Sequence, residues 1–443
     1  MKVAVIGGGV AGCMAAYTLK KAGHQVSLFE KEPYLGGRTH TFRKDGICLD
    51  TGAGFFTNFY PQLKALLDEL QLKEETSSLD RRSGLVHRNQ IATLKVGSTL
   101  SFLRFPYLST PEKLRMIAFT LGLSLDRSKR NLTEAAILQK DDDRSIAEDV
   151  RQQLGENIYQ YLVRPSIEPF WYFSCEKVSR SLFRALGSRA SDAKFFVFQH
   201  GIDRICQKLA ANIACHLASP VSEIQLLTNG QLRVCFRHDD QQESADFDRL
   251  VIASTASTAL RICQHLPENI CPDWQKNFLA SQEYVPNIHA SFISRALSKK
   301  PAFSSMFPCG PGEFNVAALS FHSAKYPHLS QAKQELISVY LSEASSRALI
   351  EAQSSTSEIF QQCYAMGRDF HPELPPDAKP FHLAVRKEAI PLHAVGRYLS
   401  AAQFQEQQSP PLVFAGDYLS TATIDGALTS GVRAAETLLH SSA

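Results

Sequence analysis

The chain opens on an apolar run that breaks into glycines. Val3–Ile6 has the length and composition of a strand. Gly7-Gly8-Gly9-Val10-Ala11-Gly12 follows, and Cys13 to Ala22 is rich in good helix formers, with Gly23 where a helix stops. A second apolar run, Val26 to Phe29, ends in Glu30. The pattern predicts a strand–helix–strand unit with a glycine-rich first turn. Downstream, spacings of three and four predict helices over 61–70, from Pro111 with Thr110 as cap, and over 145–154 with a Ser-x-x-Glu start. Further helices are expected over 156–163 before Pro165, over 202–214, 331–344 and 354–367, and from Thr423 to about His440. Strands are expected over 220–224, 232–236, 247–254, 285–295, 315–320, 383–391 and 413–419, with a proline-rich loop at 371–376.

The first unit carries chemistry. In G-x-G-x-x-G, Gly7 permits the tight turn, Gly9 lets a pyrophosphate approach the backbone, and Gly12 lets the helix pack closely on the sheet. The helix N-terminus offers N–H groups and positive dipole to phosphate. Glu30, eighteen residues past Gly12, stands where an acid accepts hydrogen bonds from ribose hydroxyls. The alternative is a glycine turn with no nucleotide. Strand, helix and acid together favour a dinucleotide.

Composition narrows the class. With 443 residues the chain is long enough for two or three domains, and 44% hydrophobic content is that of a globular protein. Lys plus Arg number 47 against 44 for Asp plus Glu, so no basic excess points to nucleic acid. The ten cysteines show no C-x-x-C and no zinc-like pairing with histidine, so free thiols and no metal are expected. The first strand starts beside Met1, so no leader is expected, and no apolar run is long enough to span a bilayer. A cytoplasmic or membrane-peripheral enzyme is expected. Leu100 to Leu108 is apolar and aromatic; a short buried segment or contact with a membrane surface accounts for it.

Tyr34-Leu35-Gly36-Gly37-Arg38-Thr39 and Asp50-Thr51-Gly52-Ala53-Gly54 follow the first unit. Near the end come Val413 to Leu419, which contains Gly416-Asp417, and Thr423-Ile424-Asp425-Gly426. This order resembles the flavin amine oxidase superfamily, with its monoamine oxidases, protoporphyrinogen oxidases and phytoene-desaturase-type enzymes. The resemblance implies FAD. It places the Gly36-Gly37-Arg38 turn along pyrophosphate and flavin, Val221 near the adenine, Asp417 at the ribityl or phosphate part, and the N–H groups near Ile424 at the pyrimidine edge. The expected cofactor set is thus Gly7, Gly9, Val10, Ala11, Gly12, Glu30, Lys31, Gly36, Gly37, Arg38, Thr39, Gly52, Ala53, Gly54, Val221, Gly416, Asp417, Thr423 and Ile424. For Arg38 the bland alternative is a surface salt bridge. Monoamine oxidases tether FAD through a cysteine near the C-terminus; none follows Cys363 here, so FAD is expected to be non-covalent.

The expected fold is α/β. A Rossmann-like FAD-binding domain of residues 1–60, 196–264 and 385–443 is interleaved with an α+β substrate domain of 61–195 and 265–384, the first part a mostly helical insertion. Phe170, Trp171 and Tyr172, with Phe173, form either the wall of an apolar pocket or core packing between helices. Thr423 stands where monoamine oxidases place half of an aromatic amine-gripping cage, and is a further candidate for substrate contact. The first reading is therefore hydride removal from a bulky apolar or aromatic substrate, with O2 or a quinone reoxidising the flavin. Rivals are an amine or amino-acid oxidase, in which Arg or Lys binds a carboxylate, and a non-oxidising FAD-binding protein. No general base stands out. His289, His322, His328, His371, His382 and His393 are dispersed and are expected on the surface or satisfied in the core, and Lys194, Lys300 and Lys325 are expected to be solvated.

Overall fold

The first unit folds as its pattern dictates. In the computed structural model, which describes residues 1–127, 130–297, 303–323 and 325–440, β1 (Lys2–Ile6) leads into α1 (Val10–Lys21) and β2 (Gln25–Phe29). α1 starts three residues earlier than expected because Gly9 is its N-cap, so Gly12 lies in the first helical turn. β1 pairs in parallel with β2 on one side and with Arg249–Ile252 on the other. Ala214–His216 and Leu412–Phe414 complete a five-stranded parallel sheet. Val3, Val5, Leu28, Val251 and Val413 are fully buried in it. The last helix, Ile424–His440, lies against α1 so closely that a Cβ at Gly431 would stand 2.3 Å from the Ala11 carbonyl oxygen.

A three-stranded antiparallel sheet, Val221–Leu226, Leu232–His238 and Gln241–Phe247, caps one side and buries Phe236 and Phe247 against Phe29. In the helical block, after the helices Pro61–Glu69 and Thr99–Leu103, α2 (Thr110–Leu125) is capped by Ser109 rather than Thr110, with Glu112 returning the bond in a capping box. Ser145 caps Ile146–Gln153 as expected. The segment 156–163 does not stop before Pro165. It passes through a π turn at Tyr159–Val163 into α3 (Arg164–Trp171); Pro165, just past that turn, has no N–H to give, and the Gln160 carbonyl five residues back accepts the Gly310 N–H at 2.9 Å instead.

A seven-stranded sheet forms the second layer. Three of its strands matter below: β3 (Tyr284–Arg295), β4 (Gln334–Leu341) and β5 (Lys379–Pro391). β3 lies antiparallel between β5 and β4; beyond β4 come Val316–Phe321, Ser305–Pro308, Arg82–His87 and Gln90–Lys95. Ile288, Ala290 and Phe292 of β3, with Ile337 and Val339 of β4, bury one face under the helices Glu343–Glu351 and Thr356–Phe370.

Three expectations are corrected. Most of 331–344 forms not a helix but strand β4, Gln334–Leu341: a strand buried on both faces reads as a continuous apolar run, and periodicity alone does not separate it from a buried helix. The helix expected over 202–214 covers only Arg204–Leu209, and Ala214–His216 instead takes the free edge of β2. The block 61–195 is less helical than expected, since Arg82–His87 and Gln90–Lys95 extend the seven-stranded sheet through a parallel pairing with Ser305–Pro308. β5 runs through residue 385, where the sequence reading changes from one unit to the other.

Candidate active site

Segments far apart in sequence converge at the C-terminal end of β1. Gly7 turns at φ +112°, and a Cβ there would stand 2.6 Å from the Ala253 carbonyl oxygen, so only glycine fits between these strand ends. The space beside Gly9 is open within 4 Å, and Gly12 abuts the Gly7 carbonyl. Gly36 donates its N–H to the Gly8 carbonyl at 2.9 Å and bridges Gly9, which lays the Gly36-Gly37-Arg38 turn along the glycine loop. Gly52 runs against Arg38: a Cβ there would be 1.9 Å from the Arg38 carbonyl oxygen, which also accepts the Ala53 N–H at 3.2 Å. Gly52 and Ala53 are exposed and Gly54 is half-buried.

Arg38 reaches Asp417 through a bidentate pair at 2.7 and 2.8 Å, joining the second motif to the last. Burial works against the Arg38 charge, but Asp417, with Tyr284 and Glu388, offsets it and holds the guanidinium above its usual range. The pair is partly buried, so Arg38 is not the surface salt bridge of the bland reading. It also commits the Asp417 carboxylate to Arg38. Glu30 is buried and accepts the Gly8 N–H at 2.6 Å and the Glu32 N–H at 3.0 Å, so it braces the glycine loop. Val10 and Ala11 bury their side chains and offer only backbone at the helix start. Thr39 is turned inward, its hydroxyl on the Gly36 carbonyl at 2.8 Å. Val221 packs into the core beside Phe29 and Phe236. Lys31 is exposed, 3.7 Å from Glu32.

Thr423 caps the last helix: its Oγ1 accepts the Gly426 N–H at 2.9 Å. Ile424 is buried behind it. Gly416 donates its N–H to Ser430 Oγ at 2.9 Å, which ties the strand end to that helix. Asp425, in the first helical turn, is fully buried. Its Oδ1 accepts the Leu63 N–H at 2.7 Å, its Oδ2 has no partner, and burial pushes its carboxyl up to about 7. Trp171 Nε1 donates to the Ala422 carbonyl at 2.9 Å, and Phe170 packs on Phe307 at 5.1 Å and Phe55 at 5.7 Å between ring centroids. Phe173 is core, whereas Phe170, Trp171 and Tyr172 are half-buried. Tyr172 caps α3 in the left-handed region, φ +61°, an uncommon place for a tyrosine.

Opposite stands the face of the seven-stranded sheet turned away from the helices Glu343–Glu351 and Thr356–Phe370. His289 of β3 pairs with Tyr340 of β4, and the rings stack at 4.8 Å. On β5, Arg386 bonds the Thr51 carbonyl and, at 2.9 Å, the Thr51 hydroxyl. Among the described residues it makes no ion pair with a carboxylate. Burial holds its guanidinium below the usual range. Tyr172 lies within electrostatic reach of Tyr340 and Arg386. His382 lies 6.2 Å from His289, so residues expected to be dispersed come together. His393 is a satisfied core histidine, between the carbonyls of Pro391 and Asp417. Lys194 is exposed, and Lys300 lies outside the described residues. Lys325 is not solvated as expected: it pairs with buried Asp50 at 3.0 Å. His289 and Tyr340 carry no sequence motif; Asp425 lies inside the last motif and Arg386 inside the strand expected over 383–391, but neither was singled out as a site residue, and only strand alternation hints that His289 and Arg386 share a face.

The whole chain can now be compared with known proteins. Residues 10–439 match the flavin containing amine oxidoreductase family, and the chain belongs to it. Protoporphyrinogen oxidase 2 of Arabidopsis thaliana is 22% identical over 99% of this chain and 94% of its own length. A 4,4'-diapophytoene desaturase of Staphylococcus haemolyticus is 50% identical over 12% of this chain and 10% of its own. Among solved structures, a putative protoporphyrinogen oxidase from Exiguobacterium superposes with a TM-score of 0.74 at 16% identity, covering 98% of both chains. Cyclohexylamine oxidase of Brevibacterium oxydans follows at 0.72 and 15%, covering 99% of both. Such likeness establishes the fold and is nearly equal for C–C and C–N chemistries. The protein is a flavin-dependent oxidoreductase of the oxidase and desaturase kind.

Proposed function

We propose that the protein binds FAD without a covalent tether and oxidises a porphyrinogen-class substrate, a large ring with acidic side chains. The observation that carries this reading is the wall facing the Thr51–Gly54 turn. Phe170, Trp171, Tyr172 and Phe307 supply aromatic surface, and Arg386, half-buried with no carboxylate of its own, supplies a cation for an acidic substituent. Thr423 closes the helix as a cap and supplies no ring for an amine cage. The full-length likeness to protoporphyrinogen oxidases supports the same choice.

The glycine loop, the Gly36–Thr39 turn, the Gly52–Gly54 turn and the Gly416–Ile424 segment would hold the FAD, with Arg38, Glu30 and Val221 behind them. Open space beside Gly9 and exposed backbone at Gly52 and Ala53 fit such a group. When bound, it accepts a hydride from the substrate carbon. The N-terminus of the last helix favours negative charge on the pyrimidine edge by about 0.3–1 kcal/mol. Cys363, the last cysteine, is buried in Thr356–Phe370 under the far face of the seven-stranded sheet, which supports non-covalent binding. Residues 1–60, 196–264 and 385–443 form the flavin unit and the rest the substrate unit. O2 or a quinone reoxidises the flavin. No helix among the described residues is long and apolar enough to cross a membrane. Leu114, Leu121 and Leu125 of α2 are 60, 61 and 87% exposed, and Leu100 and Leu103 are exposed beside them, while Phe105 and Leu108 are buried. With Arg104 and Lys113 alongside, this surface suits peripheral contact with anionic lipid.

Anaerobic mixing tests the substrate. Coproporphyrinogen or protoporphyrinogen is expected to bleach the flavin absorbance, and simple amines and amino acids are not. Bleaching by a simple amine with none by either porphyrinogen defeats the reading.

A further inference from the structure

Twelve large hydrophobic side chains stand exposed among the described residues, and six of them fall between Ile91 and Leu125. The helix period gathers them. Leu114, Ala118, Leu121 and Leu125 recur at intervals of four, three and four along α2, so they form one outward stripe about 16 Å long. Space beside Gly122, in the same stretch, is open within 4 Å. The opposite face of α2 is spent on the core: Leu123 is buried, and Phe119 stacks on Phe183 at 5.9 Å. Leu100 and Leu103 join the stripe from the helix Thr99–Leu103. Lys113 Nζ on the Leu103 carbonyl at 2.8 Å holds that helix to α2, and the Lys95 N–H on Ser101 Oγ at 3.0 Å holds it to the edge strand Gln90–Lys95.

Charge decides what covers this surface. Residues 88–127 carry six Lys and Arg against two acids, a net +4, whereas the remaining chain is net −1. Arg88, Lys95, Arg104 and Arg115 are exposed, and the Glu112 carboxylate is spent on the Ser109 cap. A second copy seated face to face would set +4 against +4. A protein partner is gripped by Trp, Tyr and Arg anchors, and the stripe offers only aliphatic side chains. Aliphatic residues on one face with cations at their border suit an anionic lipid surface.

From this surface a row of rings leads inward. Tyr107 donates its hydroxyl to the Gln90 carbonyl at 3.4 Å, and its ring lies 5.2 Å from Tyr161 and 5.7 Å from His87 between centroids. His87 Nδ1 is 3.2 Å from the Cys309 carbonyl, two residues past Phe307, which meets Phe170 of the substrate wall at 5.1 Å. Tyr107, His87, Tyr161 and Phe170 are half-buried, so each keeps some surface open to solvent.

We propose that residues 88–127 lie in the plane of an anionic phospholipid bilayer, with the leucine stripe among the acyl chains, and that an apolar porphyrinogen enters from the lipid along Tyr107, Tyr161 and Phe170. The route rests on the porphyrinogen reading; the docking does not.

The test uses the flavin-loaded full chain beside two variants, one with Leu114→Ser, Leu121→Ser and Leu125→Ser, the other with Arg88→Glu and Arg104→Glu. All five side chains are exposed, so flavin absorbance and thermal melting are expected to match the parent. The parent is expected to sediment with phosphatidylcholine vesicles containing about one-third phosphatidylglycerol, about tenfold or more tightly than with phosphatidylcholine alone, and less tightly as salt rises. Each variant should lose about tenfold of that affinity. A parent that ignores anionic vesicles overturns the docking, as does a serine variant that binds them like the parent. A parent dimer that the serine variant dissolves, with no vesicle binding, assigns the face to a second copy and overturns it too. Protoporphyrin fluorescence reads the route. Transfer from anionic vesicles to the protein should be about tenfold slower for the serine variant, in step with its weaker docking, while uptake of coproporphyrin from water should be the same as in the parent. Equal transfer overturns entry from the lipid. A parent that takes up neither porphyrin overturns the proposed function and the route with it, while sedimentation still decides the docking.

Discussion

The two walls of the cleft differ in how their polar groups are used. On the glycine-loop side nearly every one is committed inside the protein. Arg38 holds Asp417, Glu30 holds Gly8, Thr39 holds Gly36 and Thr423 holds Gly426. What this wall offers a ligand is backbone and open space. On the sheet side, among the described residues, Arg386 has no carboxylate and His289 has no partner at Nε2. A wall that must hold one fixed cofactor is rigidified by its own bonds. A wall that must meet a reacting molecule leaves valences free and tolerates the cost.

That contrast can be broken by substitution. Gly52→Ala should have the largest effect, because its Cβ would enter the Arg38 carbonyl at 1.9 Å. Purified protein is expected to lose more than about 90% of its flavin absorbance and to melt lower by several kcal/mol, as for strain at an over-determined position. Full flavin retention would mean that this turn does not shape the cradle.

Asp425 gives a pH-dependent version. Its carboxyl is at about 7 in the folded chain against 3.8 unfolded, so the folded state binds the extra proton between those values. Its stabilising contribution is complete below about pH 4 and is lost as pH rises through 7. Denaturant melts should show a decline of about 1–4 kcal/mol between pH 4 and 8. Asp425→Asn keeps the acceptor for Leu63 and should flatten that decline; an unchanged slope would assign it to other groups.

The arginines sharpen the comparison further. Arg38→Met strands the Asp417 carboxylate and is expected to cost about 1–3 kcal/mol, below the range for fully buried pairs because Arg38 is about a third exposed. Flavin affinity should fall with it. Arg386→Met strands no carboxylate and should change stability by less than about 1 kcal/mol. It should leave flavin content intact while weakening binding of coproporphyrin more than that of its tetramethyl ester. Equal destabilisation by the two substitutions, measured by urea melts, would erase the distinction between the walls.

Legibility followed the same division. The glycine loop, Gly36–Arg38, Asp50–Gly54 and Gly416–Ile424 stand out because each is a short local pattern whose job is done by backbone. Even there the internal partners came only with the structure: Glu30 accepts the Gly8 N–H, and Asp417 pairs with Arg38. The substrate wall was hardly legible. Its strand β4 read as a helix, and His289 and His382 read as dispersed, because they come from strands about ninety residues apart that meet only by antiparallel pairing.

The sequence by itself determined a βαβ start and a glycine-rich dinucleotide loop, and its resemblance to the flavin amine oxidase superfamily made that a flavoprotein whose cradle the last helix closes. Glycine spacing and hydrophobic period are local, and local physics enforces them. Only the tertiary structure decided which polar groups are spent and which remain free. A residue's hydrogen-bond partner depends on which strand is laid beside it, and β3 meets Tyr340 and Ala384 only when the seven-stranded sheet is assembled.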